Sequence, residues 1–292
     1  DGINSPALLS VPFFILAGNL LNGLELTDRI FRFANNIVGH IRGGLAQVNI
    51  LASLLFAGIS GAAVADCAAL GTVEVKAMRE RGYPVPFAAG VTAASSIIGP
   101  IFPPSIPLLL FAFVANASVG RLFLAGVVPA IVLLIMLMGY VHIIAAKRNF
   151  PKEKRPPLRE IMASAVDGLL TLMAPAIILV AMLTGFTTAS EAGVLACVYA
   201  MALGVWYRTL TWKVLAKAFR ETAMLSTIAL LMIGFSSCVG WILAFDMVPQ
   251  RLADFVLGSI DAKWQFLLIY LLFLILLGCV FDATAALIIL VP

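Results

Sequence analysis

Ile98-Gly99-Pro100-Ile101-Phe102-Pro103-Pro104-Ser105-Ile106-Pro107 interrupts a long apolar stretch near its middle. Proline lacks the amide donor that a helix uses, and it pushes the preceding residue out of the helical region. The segment about 84–119 therefore reads as one discontinuous helix. Phe87–Ile98 is its first limb and Ile106–Val119 its second. Unwound backbone inside an apolar segment needs polar partners, which protein or a watery cavity must supply.

The surroundings decide what kind of chain tolerates such a break. Hydrophobic residues make up 62% of the sequence and charged residues 12%, with a mean hydropathy of +1.07. A soluble chain of 292 residues would still need a polar skin. Here the charges fall in short clusters between apolar runs, the pattern of a polytopic helical membrane protein. The net charge of +4 does not point to nucleic acid, because the basic residues occupy connections and form no stripe with interleaved aromatics. Cys67, Cys197, Cys238 and Cys279 are widely spaced in apolar sequence, so neither a disulfide framework nor a zinc site is implied. Apolar segments are expected near 6–23, 44–58, 66–80, 84–98, 106–119, 121–146, 164–187, 190–207, 222–245, 264–278 and from 283 onward. The chain opens at Asp1 and closes at Pro292 within an apolar run, so it reads as a piece of a longer protein.

Gly44–Gly58 is too short to span a bilayer: 15 residues reach about 22 Å, against the roughly 30 Å of hydrocarbon. It leads into Ser60-Gly61-Ala62, a small-residue turn, and then into a second stretch to residue 80. The two form a re-entrant hairpin over about 44–80. Charge supports this. Placing 24–43, 73–86, 147–160 and 207–221 on one side gathers 16 of the 19 basic residues there, and the positive-inside rule makes that side cytoplasmic. The count closes only if 44–80 enters and leaves from that side. In the second half, 264–278 re-enters from outside and reaches Gly278-Cys279-Val280-Phe281-Asp282. Two opposed hairpins imply inverted-topology repeats: 1–146, a linker over 147–163, and 164–292, whose hairpin is truncated. The expected fold is thus all-α, with two re-entrant hairpins and discontinuous helices.

Candidate functional residues collect at the first tip and the break: Ser60, Gly61, Ala62, Asp66, Ser95, Ser96, Gly99, Pro100, Pro103, Pro104 and Ser105, with Thr92 beside them and Asp282 in the second tip. Hydroxyls and unwound carbonyls are hard oxygen donors suited to a small cation, and helix N-termini suit an anion. Intramembrane carboxylates such as Asp66 and Asp282 are functional candidates, and each is equally readable as an N-cap. Serines also let helices pack closely. Thr188-Ala189-Ser190-Glu191 fits a capping box, and Asn19 reads as an interhelical hydrogen bond. Gly58-Ile59-Ser60-Gly61 is close to an intramembrane serine protease motif. His142, however, lies only five residues from Lys147, about 7.5 Å from the interface, and could not easily meet a mid-depth tip. A channel would need no paired, opposed hairpins.

These blocks resemble the large membrane subunit of tripartite ATP-independent periplasmic (TRAP) transporters, the dicarboxylate-type permease. The resemblance rests on Pro12–Leu21, Gly39–Asn49, Phe56–Asp66, Lys76–Tyr83 and, most densely, Thr92–Pro107. It implies secondary active symport: Na⁺-coupled uptake of a small organic anion such as a C4-dicarboxylate. No cofactor is implied beyond Na⁺ as coupling ion. The implied partners are a small membrane subunit and a periplasmic substrate-binding protein, in a bacterial inner membrane. An elevator-type movement of the hairpin-bearing domain is implied too. Carried over by motif, Ser60, Gly61, Gly99, Pro103, Pro104 and Ser105 surround the first Na⁺ and the substrate, with the ion near Ser60, Gly99 and Ser105. The chain departs from the family at Ala62, where a serine is usual, and at Ala189, where a proline is usual. A stand-alone Na⁺/dicarboxylate symporter of the same superfold is the neighbouring alternative.

Overall fold

A computed structural model describes residues 8–24, 27–60, 63–148, 150, 156–247, 250–251, 262–279, 281 and 283–290. The described residues are helical, with no strand among them. In chain order the helices are α1 Ser10–Gly23, α2 Thr27–Val38, α3 Gly44–Ser60, α4 Ala63–Glu80, α5 Val85–Ser96 and α6 Ile106–Val114. They continue with α7 Val119–Arg148, α8 Leu158–Leu183, α9 Ala189–Trp206, α10 Trp212–Phe245, α11 Lys263–Gly278 and α12 Ala283–Leu290.

Among the described residues four helices are long and apolar enough to cross a membrane: α7, α9, and the stretches Arg159–Leu183 of α8 and Trp212–Ser236 of α10. The outward side chains of α7 and α10 are large and apolar, for example Met136, Ile135, Phe235 and Trp241. A soluble protein would hide such residues, whereas a lipid-facing helix displays them. This is the architecture of a multi-pass membrane protein.

α1 packs against α9 and α10, and α8 against α9. Where lipid removes the hydrophobic drive between helices, close backbone approach matters most. Gly193 permits it, since a Cβ there would stand 2.9 Å from the Phe13 Cβ. Cys197 adds a hydrogen bond to the Phe13 carbonyl at 3.2 Å. As expected, Asn19 makes an interhelical bond, its Nδ2 donating to Thr222 Oγ1 at 3.0 Å. The capping box is also present: the Thr188 amide donates to Glu191 Oε2 at 2.7 Å, and the Glu191 amide to Thr188 Oγ1. A second group gathers α3, α4, α5 and α7 around Ile50, Met78, Val91, Ile98 and Ala130.

Several boundaries differ from the sequence reading. Residues 24–43 were expected as a connection, yet they hold α2. Its Ile30, Ala34 and Val38 recur at helical spacing and are buried, while Arg32 is exposed. α2 lies against α8 and α3. Arg29 pairs with Asp167 at 3.2 Å and stacks on the Tyr207 ring at 3.8 Å. α10 starts ten residues before the expected 222, and the connection between α7 and α8 is confined to 149–157. The second limb of the broken helix stops at Val114, not near 119, because Asn116 takes a left-handed conformation at φ 51°. Asparagine tolerates that region better than most residues.

Candidate functional site

The interruption appears where the prolines demand it. α5 runs for 12 residues and α6 for nine, about 18 and 13 Å of helix. Between them the chain is not simply unwound. Tight turns carry it from Ser95 to Phe102, with Ile98, Gly99, Ile101 and Phe102 amides donating three or four residues back. A cis Pro103–Pro104 peptide follows. Ser105 then organises the restart. Its hydroxyl donates to the Pro100 carbonyl and accepts from the Leu108 amide at 3.2 Å, capping α6 while tying it to the turn before it. The carbonyls of Gly99, Phe102, Pro103 and Pro104 accept no hydrogen bond among the described residues. The residues that bear these oxygen donors are buried or half-buried in an apolar setting.

Ser105→Ala should therefore lower stability by about 1 kcal/mol, the usual worth of an N-cap. Ser105→Thr should lose less, because the capping oxygen is kept. Thermal unfolding in detergent reads the difference.

Asp66 meets this break. It was readable as an N-cap, but it is the fourth residue of α4, inside the first turn, so it does not cap the helix. There its carboxylate still complements the positive end of the helix dipole. It is buried, and its Oδ2 would stand only 2.6 Å from a Cβ placed on Gly99. Asp66 lies three residues after the start of α4 and six after Ser60, the end of α3. Gly61, Ala62, Asp282 and the Ser60 side chain lie outside the described residues.

Above the break α3, α4 and α5 share a buried polar ladder. Ser53 Oγ donates to Ser95 Oγ at 2.9 Å, and Ser95 Oγ lies 2.8 Å from Asn49 Oδ1. Asn49 Nδ2 donates to Thr92 Oγ1 at 2.7 Å, and Thr92 donates to the Ala88 carbonyl at 3.0 Å. Ser96 donates to the Ala93 carbonyl at 2.9 Å, with the Cys67 sulfur 3.4 Å from its oxygen. In this arrangement the hydroxyls of Ser95 and Thr92 are engaged between helices. Ser96 faces α4, one residue from Asp66. The ladder gives rigid backing to the break, since a fully satisfied buried network specifies one arrangement.

Sequence reasoning missed Asn49, Ser53 and Glu74. Asn49 and Ser53 sit four apart on α3, and that spacing alone could have placed them on one face. Glu74 lies eight residues beyond Asp66, on the same face of α4, and is buried at 1% exposure. Its two carboxylate oxygens have no hydrogen-bond partner among the described residues. Gly126 was missed as well. It places α7 against the break, where an added Cβ would stand 2.4 Å from the Ile101 carbonyl. The second half approaches from α12, which packs against α6 and α10. Among the described residues no group of three or more His, Cys, Asp or Glu side chains forms a metal site.

Over residues 1–292 the sequence matches the family described as tripartite ATP-independent periplasmic transporter, DctM component. The chain belongs to that family. It is a TRAP transporter large permease subunit by sequence, and so a transport protein, not an enzyme. It is 42% identical over 292 residues to the sialic acid TRAP transporter large permease protein SiaM of Vibrio cholerae, covering all of this chain and 68% of that one. It is 36% identical over 284 residues to the sialic acid TRAP transporter permease protein SiaT of Haemophilus influenzae, covering 97% of this chain and 46% of the relative. The C4-dicarboxylate TRAP transporter large permease protein DctM of Pseudomonas aeruginosa is 35% identical over 286 residues, covering 98% of this chain and 67% of its own length. The TRAP permease chain thus spans about two thirds of two of these relatives and under half of the third.

Proposed function

We propose that this TRAP permease performs Na⁺-coupled uptake of a small organic anion across the bacterial inner membrane. A periplasmic binding protein delivers the anion, and a small membrane subunit accompanies the permease. The observation that carries this reading is the meeting of Asp66 with Gly99, beside a break in which the Gly99, Phe102, Pro103 and Pro104 carbonyls accept no hydrogen bond among the described residues. Oxygen donors of that kind replace a hydration shell of Na⁺, and a nearby buried carboxylate offsets its charge. Ser60, Gly61 and Ala62 belong at this place because their connection opens the helix that bears Asp66. Ser95, Ser96, Pro100, Pro103, Pro104 and Ser105 hold the break in shape. In this reading α3 and α4 are a re-entrant hairpin, α11 and α12 with Asp282 between them begin its inverted counterpart, and the hairpin-bearing body moves as an elevator.

The relatives named for sialic acid and for C4-dicarboxylates share one chemical feature, since both cargoes carry carboxylates. A carboxylate-bearing anion is accordingly the substrate class proposed here. A stand-alone symporter, needing no binding protein, is not favoured by the family match.

The test is uptake into proteoliposomes holding the full-length permease, its small subunit and the binding protein. Radiolabelled sialic acid and succinate serve as cargoes. Uptake should require the binding protein and an inward Na⁺ gradient. Equal uptake in K⁺ medium would overturn the coupling, and full uptake without the binding protein would favour the stand-alone symporter.

A further inference from the structure

Outside the break, a cleft of about 550 Å³ with cations at one end lies between α4 and α5. One wall is built from α4 residues four apart, Cys67, Gly71 and Arg79 among them, with Lys76 alongside. Val85 and Thr92 belong to the facing wall on α5. From Cys67 to Arg79 the groove follows α4 for about 18 Å. Its inner end reaches the functional region: Cys67 adjoins Asp66 in sequence, and its sulfur lies 3.4 Å from Ser96 Oγ. At the other end stand two exposed cations, Lys76 and Arg79, with no ion pair among the described residues. The turn beyond them is pinned, because Tyr83 and Phe87 both pack on the Phe150 ring, at 4.6 and 5.1 Å. The walls of the cleft are therefore held at a set separation.

An apolar groove with cations at one end focuses potential along its length. It draws an anion toward that end without holding it tightly, because exposed cations in high dielectric bind weakly. A path that must release its cargo needs that combination. The positive-inside count places the Lys76 and Arg79 end in the cytoplasm. Resting on the anion-uptake reading above, we propose that the α4–α5 cleft is the anion's release path to the cytoplasm, with Lys76 and Arg79 as its electrostatic lining. A cleft of this volume accommodates a small mono- or dicarboxylate.

Cys67 supplies a native reporter. Inside-out vesicles bearing the full-length permease and its small subunit are treated with membrane-impermeant methanethiosulfonates, one carrying a sulfonate and one a quaternary ammonium. Peptide-resolved mass spectrometry reads modification at Cys67. The sulfonate should react faster, relative to each reagent's rate with a free thiol. Lys76→Gln with Arg79→Gln should lower that ratio by about tenfold. In the unaltered protein 0.5 M salt should lower it in the same direction, a measurement that needs no variant. The double variant should also slow uptake while leaving its half-saturating Na⁺ concentration unchanged.

A ratio that ignores both salt and the charge substitutions overturns the proposal, and so does a Cys67 that neither reagent reaches from this face. The two readings fail separately. Absent Na⁺-dependent uptake with a charge-sensitive ratio sinks the coupling and keeps the anion-attracting cleft. Intact uptake with a charge-blind ratio sinks only the cleft.

Discussion

Gly99→Ala is expected to abolish most Na⁺-dependent uptake while leaving a folded protein. The new methyl would stand 2.6 Å from Asp66 Oδ2 and 3.2 Å from the Ser96 carbonyl. No carbon–oxygen contact survives at the first distance, so something must move. The backbone on both sides is held by the Ser95 and Ser96 carbonyls, which accept from Ile98 and Gly99. The Asp66 side chain is the easier part to displace. Overpacking of this kind costs about 1–3 kcal/mol. Were only half of that lost from the bound ion, affinity would fall about two- to tenfold. The measurement is uptake against Na⁺ concentration, beside the unfolding temperature in detergent. A double substitution makes the argument sharper. Asp66→Ala removes the obstructing oxygen, so Gly99→Ala with Asp66→Ala should unfold later than Gly99→Ala alone. Uptake should remain lost in it, because the carboxylate is gone. Full uptake by either Asp66→Ala variant would refute the role given to Asp66.

Gly126→Ala should be the more damaging change to the fold itself. Its Cβ would meet the Ile101 carbonyl oxygen at 2.4 Å and Leu108 Cδ1 at 3.0 Å. The first of these atoms is backbone and belongs to the break, so no rotamer change relieves the contact. Either α7 retreats, or the turn carrying Ile101 shifts and takes the neighbouring carbonyls with it. A loss of about 2–3 kcal/mol is expected from overpacking, along with lost uptake. The same helix provides the control. Gly139 has open space where its Cβ would be. There alanine removes the entropic cost of a helical glycine and should stabilise by up to about 1 kcal/mol. Equal effects at the two positions would mean that α7 does not press on the break.

Much of the fold was legible because apolar runs and breakers act locally. Pro100, Pro103, Pro104 and Pro107 stop and restart a helix wherever they occur, so the restart at Ile106 followed from local chemistry, and the first limb ends at Ser96, two residues before the expected Ile98. Thr188 and Glu191 cap α9 for the same reason, through atoms three residues apart. α2 escaped notice because its charges resemble those of a connection. Its apolar stripe of Ile30, Ala34 and Val38 has meaning only once α3 and α8 are present to cover it. Among the candidate site residues, Ser105 stood out by its place after the prolines, and its two hydrogen bonds make it a brace of the break. Ser95 gave no sign of its partners, since Asn49 and Ser53 are 46 and 42 residues away.

The sequence by itself determined that this is a membrane protein of helices, that one helix is broken at Gly99–Ser105, and that Asp66 follows closely on the small residues Ser60-Gly61-Ala62. Those properties come from composition, proline geometry and short-range spacing. Only the tertiary structure decided that the Asp66 carboxylate rests on Gly99, that Gly126 presses α7 against Ile101, and that a cleft leads from Cys67 to Lys76 and Arg79. Such contacts join positions tens of residues apart. Which small residue faces which carboxylate is set by how neighbouring helices rotate and slide as they pack, and local spacing carries no record of that.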